Sequence, residues 1–285
     1  MNKGFKRVVA ISLILIFLGI ALVTGALVAS KGDFKTITGA FQNLGVFWND
    51  INAIEKTQTF EMEPTLTSVN ISFINSDISV SLSPDKKVHV SYEKRKNYTY
   101  LESTSGGKLS VSESANWFFN FSLKRSKVFI SIPSDTKLFD CVLKNVSGAI
   151  KVEDLVSEHL ELSGVDTTAT VLRSNPATFT FNTVNGNLSL QKSSSNSVTF
   201  KSVNGSTNIA ETNFKDFTMN TTNGDATIIL ASKKDDYKVD YGVVNGTLQF
   251  NNDTFKGSTV LNGVMPPNSI TFKAVNGSMT LKTIE

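Results

Sequence analysis

The sequence predicts an all-β fold, a parallel β-helix (β-solenoid) of about 19–22-residue rungs, preceded by an N-terminal transmembrane helix and a short amphipathic helix. Three observations predict it. Val146, Val165, Val184, Val203 and Thr222 follow one another at one constant interval, and Val244 and Val275 continue the series at longer ones. On both sides of this ruler the apolar residues fall in fixed columns. The composition, rich in Phe, Val, Ser, Thr and Asn and poor in Pro, favours strands.

The N-terminus is set apart from this pattern. Residues 1–7 read as a cytosolic tail carrying Lys3, Lys6 and Arg7. Residues 8–29, "VVAISLILIFLGIALVTGALVA", are 22 residues without a charge, and about 20 apolar residues span a bilayer. The reading is a retained anchor, with cleavage near Val28-Ala29-Ser30 as the alternative. The basic residues before the span keep the N-terminus in the cytosol, which places the rest of the chain outside the cell. Residues 1–30 hold three Lys/Arg and no acid, so the remaining 25 basic residues balance 25 acidic ones. The exported part is neutral, which gives no support to a nucleic-acid partner.

Residues 30–64 read as an amphipathic helix and linker. Phe34, Ile37, Phe41, Leu44, Trp48 and Ile51 recur at intervals of 3 and 4, as on one face of a helix. Such a helix would cap the solenoid's first rung or lie at the membrane surface. Residues 65–136 read as an irregular β region that contains the first rung. In "VNISFINSDISVSL", Val69, Ile71, Ile78 and Val80 point inward around a corner at Ile74-Asn75-Ser76. The aromatic run "ANWFFNFSL" at 115–123 fits a long loop, packed on the core or exposed as a contact tip. The basic runs at Lys86-Lys87, Lys94 to Lys96 and Lys124 to Lys127 fit guarded strand edges or a contact with anionic polymer or headgroups.

Residues 137–285 read as the regular repeats. Three positions before the ruler stand Leu143, Leu162, Phe181, Phe200, Met219, Tyr241 and Phe272, and six after it Val152, Val171, Leu190, Ile209, Ile228, Phe250 and Leu281. Each unit is therefore two short strands of period two around a corner. One Asn-Gly pair between alternating runs would signal a hairpin. Repetition at a constant scale of about 20 positions signals stacked rungs instead. In that geometry Gly148, Gly186, Gly205, Gly224, Gly246 and Gly277 are corner glycines, expected at positive φ, with Thr167 as the exception. Asn185, Asn204, Asn223, Asn245 and Asn276 form a structural ladder of side chains hydrogen-bonded from rung to rung.

Little in the chain suggests chemistry. His89 and His159 are the only histidines and lie far apart in the sequence, and Cys141 is the only cysteine, so no internal disulfide, metal site or cofactor is expected. Stacked carboxylates would suggest a polysaccharide-cleaving β-helix, but Asp166 and Asp225 each stand alone in their columns, whereas glycoside cleavage commonly needs a pair.

The anchored N-terminus, "VFISIPSDTKLFDCVLKNVSGAIKV" and the closing "VNGxLxL" repeats resemble the putative-adhesin family of unknown function of Gram-positive envelope proteins, which includes the G protein of Lia-type cell-envelope stress operons. The resemblance covers about Thr65 to Ile284. It implies a surface β-solenoid with membrane-associated partners. The functional expectation is a non-enzymatic binding or scaffold module of the envelope, engaging the lipid bilayer and either another membrane protein of a stress system or a cell-wall polymer. The alternative is a carbohydrate-active β-helix enzyme. If the topology is right, protease added to intact protoplasts removes the repeat region and a reporter fused after Glu285 is active outside; full protection would overturn the assignment.

Overall fold

In a computed structural model of the protein, residues 54–62, 65–96, 98–115, 124–261 and 266–283 are described. The expected anchor, the amphipathic stripe and residues 116–123 lie outside them. The chain divides into two compact units, Met1–Ala53 and Ile54–Glu285, and everything described belongs to the second. Among the described residues no helix is long and apolar enough to cross a membrane; apart from one turn of 3-10 helix at Lys234–Asp236, the regular structure is β.

The first third of this unit contains β1 (Ile54–Met62), β2 (Ser68–Leu82), β3 (Val88–Arg95), β4 (Tyr98–Ser105), β5 (Lys108–Ala115) and β6 (Ser126–Ile132). The middle contains β7 (Leu138–Glu153), β8 (Val156–Leu172), β9 (Asn175–Asn182), β10 (Leu188–Gln191), β11 (Ser194–Lys201), β12 (Thr207–Asn223) and β13 (Ala226–Leu230). The last part contains β14 (Tyr237–Asn245), β15 (Thr247–Phe250), β16 (Asp253–Lys256), β17 (Thr259–Leu261), β18 (Asn268–Asn276) and β19 (Met279–Thr283). β1 occupies residues that read as linker in the sequence. Its exposed Thr57, Thr59 and Glu61 alternate with half-buried Gln58 and Phe60, a period-two pattern hidden by its mostly polar composition.

Each rung has an arm before the corner and an arm after it, and both stack in parallel, each residue pairing with its equivalent one repeat further on. Cys141 pairs with Leu160 and Val152 with Val171 between β7 and β8. Phe179 pairs with Val198 and Phe181 with Phe200 between β9 and β11. β2 is the rung below β7, pairing Val69 with Cys141 and Val80 with Val152. Between the arms the columns meet in the core: Phe181, Phe200 and Phe272 are fully buried, as is Cys141. Phe181 stacks on Phe200 with ring centroids 5.3 Å apart, and Tyr241 stacks on Phe272 at 5.4 Å. Burial, with Asp140 nearby, pushes the Cys141 thiol up to about 12.

The rungs do not stack wholly in chain order. β12 and β13 pair with β18 and β19, and these pair in turn with β14 and β15. The last rung of the chain is thus inserted between two earlier ones. At the other end, β5 and β6 are the two arms of one rung, paired in parallel with β2, and residues 116–125 stand in the chain where other rungs have a corner. This rung is not recognisable from the sequence because its arms are too far apart to show the period.

Both ends close with antiparallel strands. β4 lies on β5, β3 on β6 and β1 on β3, while β16 lies on β15 and β17 on β14. An unpaired edge of a parallel stack is a template for further pairing, and these strands cover it.

Since Phe200 fills the core while Lys201 is exposed, Phe200→Ala is expected to cost about 3–5 kcal/mol by leaving a cavity, and Lys201→Ala to stay within about 0.5 kcal/mol. Denaturant unfolding measures both, and equal effects would refute the register.

Candidate functional site

The corner is the most regular feature of the surface. The residue before the ruler turns its hydroxyl back into the stack: Thr183 Oγ1 donates to Val165 O at 3.0 Å and Thr221 Oγ1 to Val203 O at 3.3 Å. The ruler residue itself points outward. Val146, Val165, Val184, Val203, Val244 and Val275 are between 40% and 71% exposed, so the corners carry a row of isopropyl groups at the rung spacing of about 4.8 Å, interrupted once by the exposed Thr222 between Val203 and Val275.

Beside this row runs a continuous chain of side-chain amides. Asn245 Nδ2 donates to Asn276 Oδ1 at 2.9 Å, Asn276 Nδ2 to Asn223 Oδ1 at 2.8 Å, and Asn223 Nδ2 to Asn204 Oδ1 at 2.8 Å. Asn204 Nδ2 then donates to Asn185 Oδ1 at 2.8 Å and Asn185 Nδ2 to Asp166 Oδ1 at 2.7 Å. All the amides point the same way, and the chain ends on a carboxylate, which can only accept.

The corner glycines lie next to this chain, but not for the expected reason. Of the six, only Gly148 has a φ well inside the left-handed region, at +131°; Gly224 and Gly246, at +158° and +156°, lie at its extended limit, and Gly186, Gly205 and Gly277 fall outside it. What excludes a side chain is the neighbouring rung. A Cβ on Gly205 would stand 2.1 Å from Gly186 O, on Gly224 2.0 Å from Gly205 O, and on Gly246 1.9 Å from Gly277 O. Gly186, Gly277 and Gly148 are crowded in the same way by Thr167 O, Gly224 O and Ser76 O. The exception is explained too: Thr167 Oγ1 donates to Asn145 O at 2.6 Å, and the space it needs is supplied by Gly164, whose Cβ would meet that oxygen at 2.1 Å.

Left-handed backbone occurs instead at the return corner, which the sequence reading missed. Asp154, Arg173, Lys192 and Glu211, again one repeat apart, have φ of +58°, +49°, +50° and +50°. Directly after the last three come the buried hydroxyls of Ser174, Ser193 and Thr212. Each donates to the carbonyl two residues back and accepts from the backbone N–H of the previous rung: Leu155 N to Ser174 Oγ at 3.1 Å, Ser174 N to Ser193 Oγ at 3.1 Å and Ser193 N to Thr212 Oγ1 at 3.4 Å. A hydroxyl recurring at the rung period was the available signal.

The outer face of the arm after the corner is almost uncharged. Thr168, Asn187, Ser206, Asn208, Asp225 and Thr227 line a shallow open depression of about 400 Å³ there. Its side chains are partly engaged in holding rungs together, with Ser206 N donating to Asn187 Oδ1 at 2.9 Å and Ser278 N to Asp225 Oδ1 at 2.7 Å.

Elsewhere the ionisable groups serve the fold. At the β5–β6 end, Glu113 accepts from Ile74 N at 3.0 Å, Tyr100 Oη at 2.6 Å and the buried Arg95 Nη2 at 2.5 Å, so its carboxylate satisfies a backbone amide at the corner of β2. His89 sits 2.8 Å from Asp85, and His159 2.7 Å from Thr178; no cluster among the described residues has the ligands for a metal.

This two-armed stack places the chain in a known class. The sequence profile of the Toastrack DUF4097 family matches residues 66–254, more than half of the chain, and the protein belongs to that family. Similar solved structures include a putative cell adhesion protein from Clostridium sporogenes, 16% identical, covering 80% of this chain and 99% of its own, with a TM-score of 0.41. A putative adhesin from Bacteroides fragilis is 13% identical, with 81% and 98% covered and a TM-score of 0.46. No curated protein matches the chain significantly.

A direct test of the corner follows from this geometry. Were positive φ the requirement, Asn at position 205 would be tolerated better than Ala. Because the obstacle is Gly186 O, Gly205→Asn and Gly205→Ala are expected to destabilise alike, by about 1–3 kcal/mol in equilibrium unfolding.

Proposed function

We propose that this protein is a non-enzymatic binding or scaffold module of the bacterial cell envelope, held in the membrane by residues 8–29 with its solenoid outside. Its contact surface is the Val–Asn edge. The observation that carries this reading is the run of exposed valines on four consecutive rungs, Val146, Val165, Val184 and Val203: apolar surface arranged contiguously marks an interaction site far more often than scattered exposure does. The amide chain beside it offers polar groups in the same register, so a partner with a repeating or extended backbone gains apolar contact and hydrogen bonds together. A second membrane protein of a stress system fits this edge better than a wall polymer, since isopropyl groups suit apolar side chains rather than sugar hydroxyls. The anchor rests on the uncharged run at 8–29 and the basic residues that precede it.

Photocrosslinking in living cells tests the reading. A photoreactive residue at Val184 or Val203 is expected to yield a discrete adduct with a membrane protein that grows under cell-wall stress, and Lys201, exposed on an arm, is expected to yield none. Equal adducts from all three positions would overturn the edge as the contact surface, and a smear removed by muramidase would replace the protein partner with wall polymer.

A further inference from the structure

Among the described residues five corners carry an Asn-Gly pair, at 185–186, 204–205, 223–224, 276–277 and 245–246 in the order of the stack. In the first four the glycine N–H is engaged by the asparagine carbonyl of the next rung. Gly186 N donates to Asn204 O, Gly205 N to Asn223 O, Gly224 N to Asn276 O and Gly277 N to Asn245 O, each at 3.0 Å. The side-chain amides of these four are also held from both sides, each donating to one neighbour and accepting from the other. The fifth pair differs because no rung lies beyond it. The chain leading from β16 to β17 passes there and offers a donor, Gly257 N to Gly246 O at 3.3 Å, in place of a further asparagine carbonyl. Among the described residues nothing accepts from Gly246 N and nothing donates to Asn245 Oδ1. The neighbouring Val244 is 71% exposed, against 40–47% for the other corner valines.

We infer that Asn245-Gly246 is a site of spontaneous covalent modification, deamidation through a succinimide, and that the stack protects the four pairs inside it. Asn-Gly suits this reaction because the attacking amide has no side chain beside it. Gly246 N bonds to Cγ of Asn245 and gives up its proton, the Cγ–Nδ2 bond breaks, and ammonia leaves with that proton. Water then opens the imide at either carbonyl, leaving an aspartyl or an isoaspartyl link at 245. In the inner pairs the same nitrogen must first release the carbonyl of the next rung, and the amide must leave a ladder that holds it from both sides, so reaction waits for local opening. At Asn245 the side chain is restrained only by its bond to Asn276. The product carries a carboxylate, which can only accept; it no longer donates to Asn276 Oδ1 and sets two oxygens face to face. An isoaspartyl link also lengthens the backbone and draws the acceptor of Gly277 N out of register. The modification therefore loosens the outermost corner. This inference stands on the hydrogen bonds of the corners and is independent of the envelope role proposed above.

Peptide mapping by mass spectrometry tests it on the unaltered full-length chain. Trypsin, cutting after Lys and Arg, places each of the five pairs in its own peptide and apart from Asn262-Gly263, which lies outside the described residues. Fragmentation of peptide 239–256 distinguishes Asn245 from Asn251 and Asn252. In the native protein at mildly alkaline pH, Asn245 is expected to convert to the acid form about tenfold faster, or more, than Asn185, Asn204, Asn223 and Asn276. In denaturant the five are expected to react at similar rates, which assigns the difference to the fold. Hydrogen-exchange protection of the Gly277 amide is expected to fall as modification accumulates. Equal rates for the five native pairs, or a native Asn245 that stays intact while the denatured chain reacts, overturns the proposal.

Discussion

At each glycine corner a carbonyl oxygen of one rung occupies the space where a side chain of the next would begin. That contact, 1.9 to 2.2 Å from the absent Cβ at all six corner glycines, lets parallel rungs turn in register at their strand spacing. Once the corners superimpose, the arms superimpose as well, so Phe181 falls on Phe200 and the inward columns become a continuous core. The same superposition sends the valines outward together and brings each Asn amide within reach of its neighbour. Core, ladder and exposed edge are three results of one steric condition, and a side chain at any one glycine disturbs all of them.

The arms were legible in the sequence because the period-two columns and the constant interval between rungs are both local quantities. The inward positions from Cys141 to Leu281 and the corner at Asn75 could be read directly. The order of the last rungs could not, because rungs with one consensus carry no information about which neighbour each will take; "VNG" at 275–277 matches the faces at Asn223 and Asn245 equally well. The glycine column was visible but its cause was not. Positive φ is a property of one residue, whereas the obstacle here is an oxygen belonging to another rung, which for Gly277 is the distant Gly224. Of the candidate site, the amides could be placed from spacing alone, while the outward turn of the valines and the hydroxyls at the return corner depend on backbone geometry that the apolar columns do not specify.

The ends of the stack show how a repeating structure stops. A parallel rung always leaves an edge as adhesive as the one it covers, so termination needs a different kind of strand. At one end β3 and β1 turn antiparallel, and Glu113 supplies a carboxylate to the amide of Ile74 with Arg95 buried behind it. At the other, β16 and β17 fold back over the outermost rung. In both places the chain first travels outward and then returns to fill an inner position, so closure is built before the interior is complete.

The uniform direction of the amide chain gives the edge an electrical head and tail. Five carboxamides aligned from Asn245 to Asn185 add their dipoles rather than cancelling them, in the way peptide units do along a helix. Their N–H ends face Asp166, whose carboxylate stands where an acidic residue stands at a helix N-terminus, and their oxygens face the opposite end. Reversal would set an amide oxygen against that carboxylate, so a single aspartate fixes the sense of the whole row. A charged group approaching the edge therefore meets a field that differs between its two ends, although every rung between them looks the same.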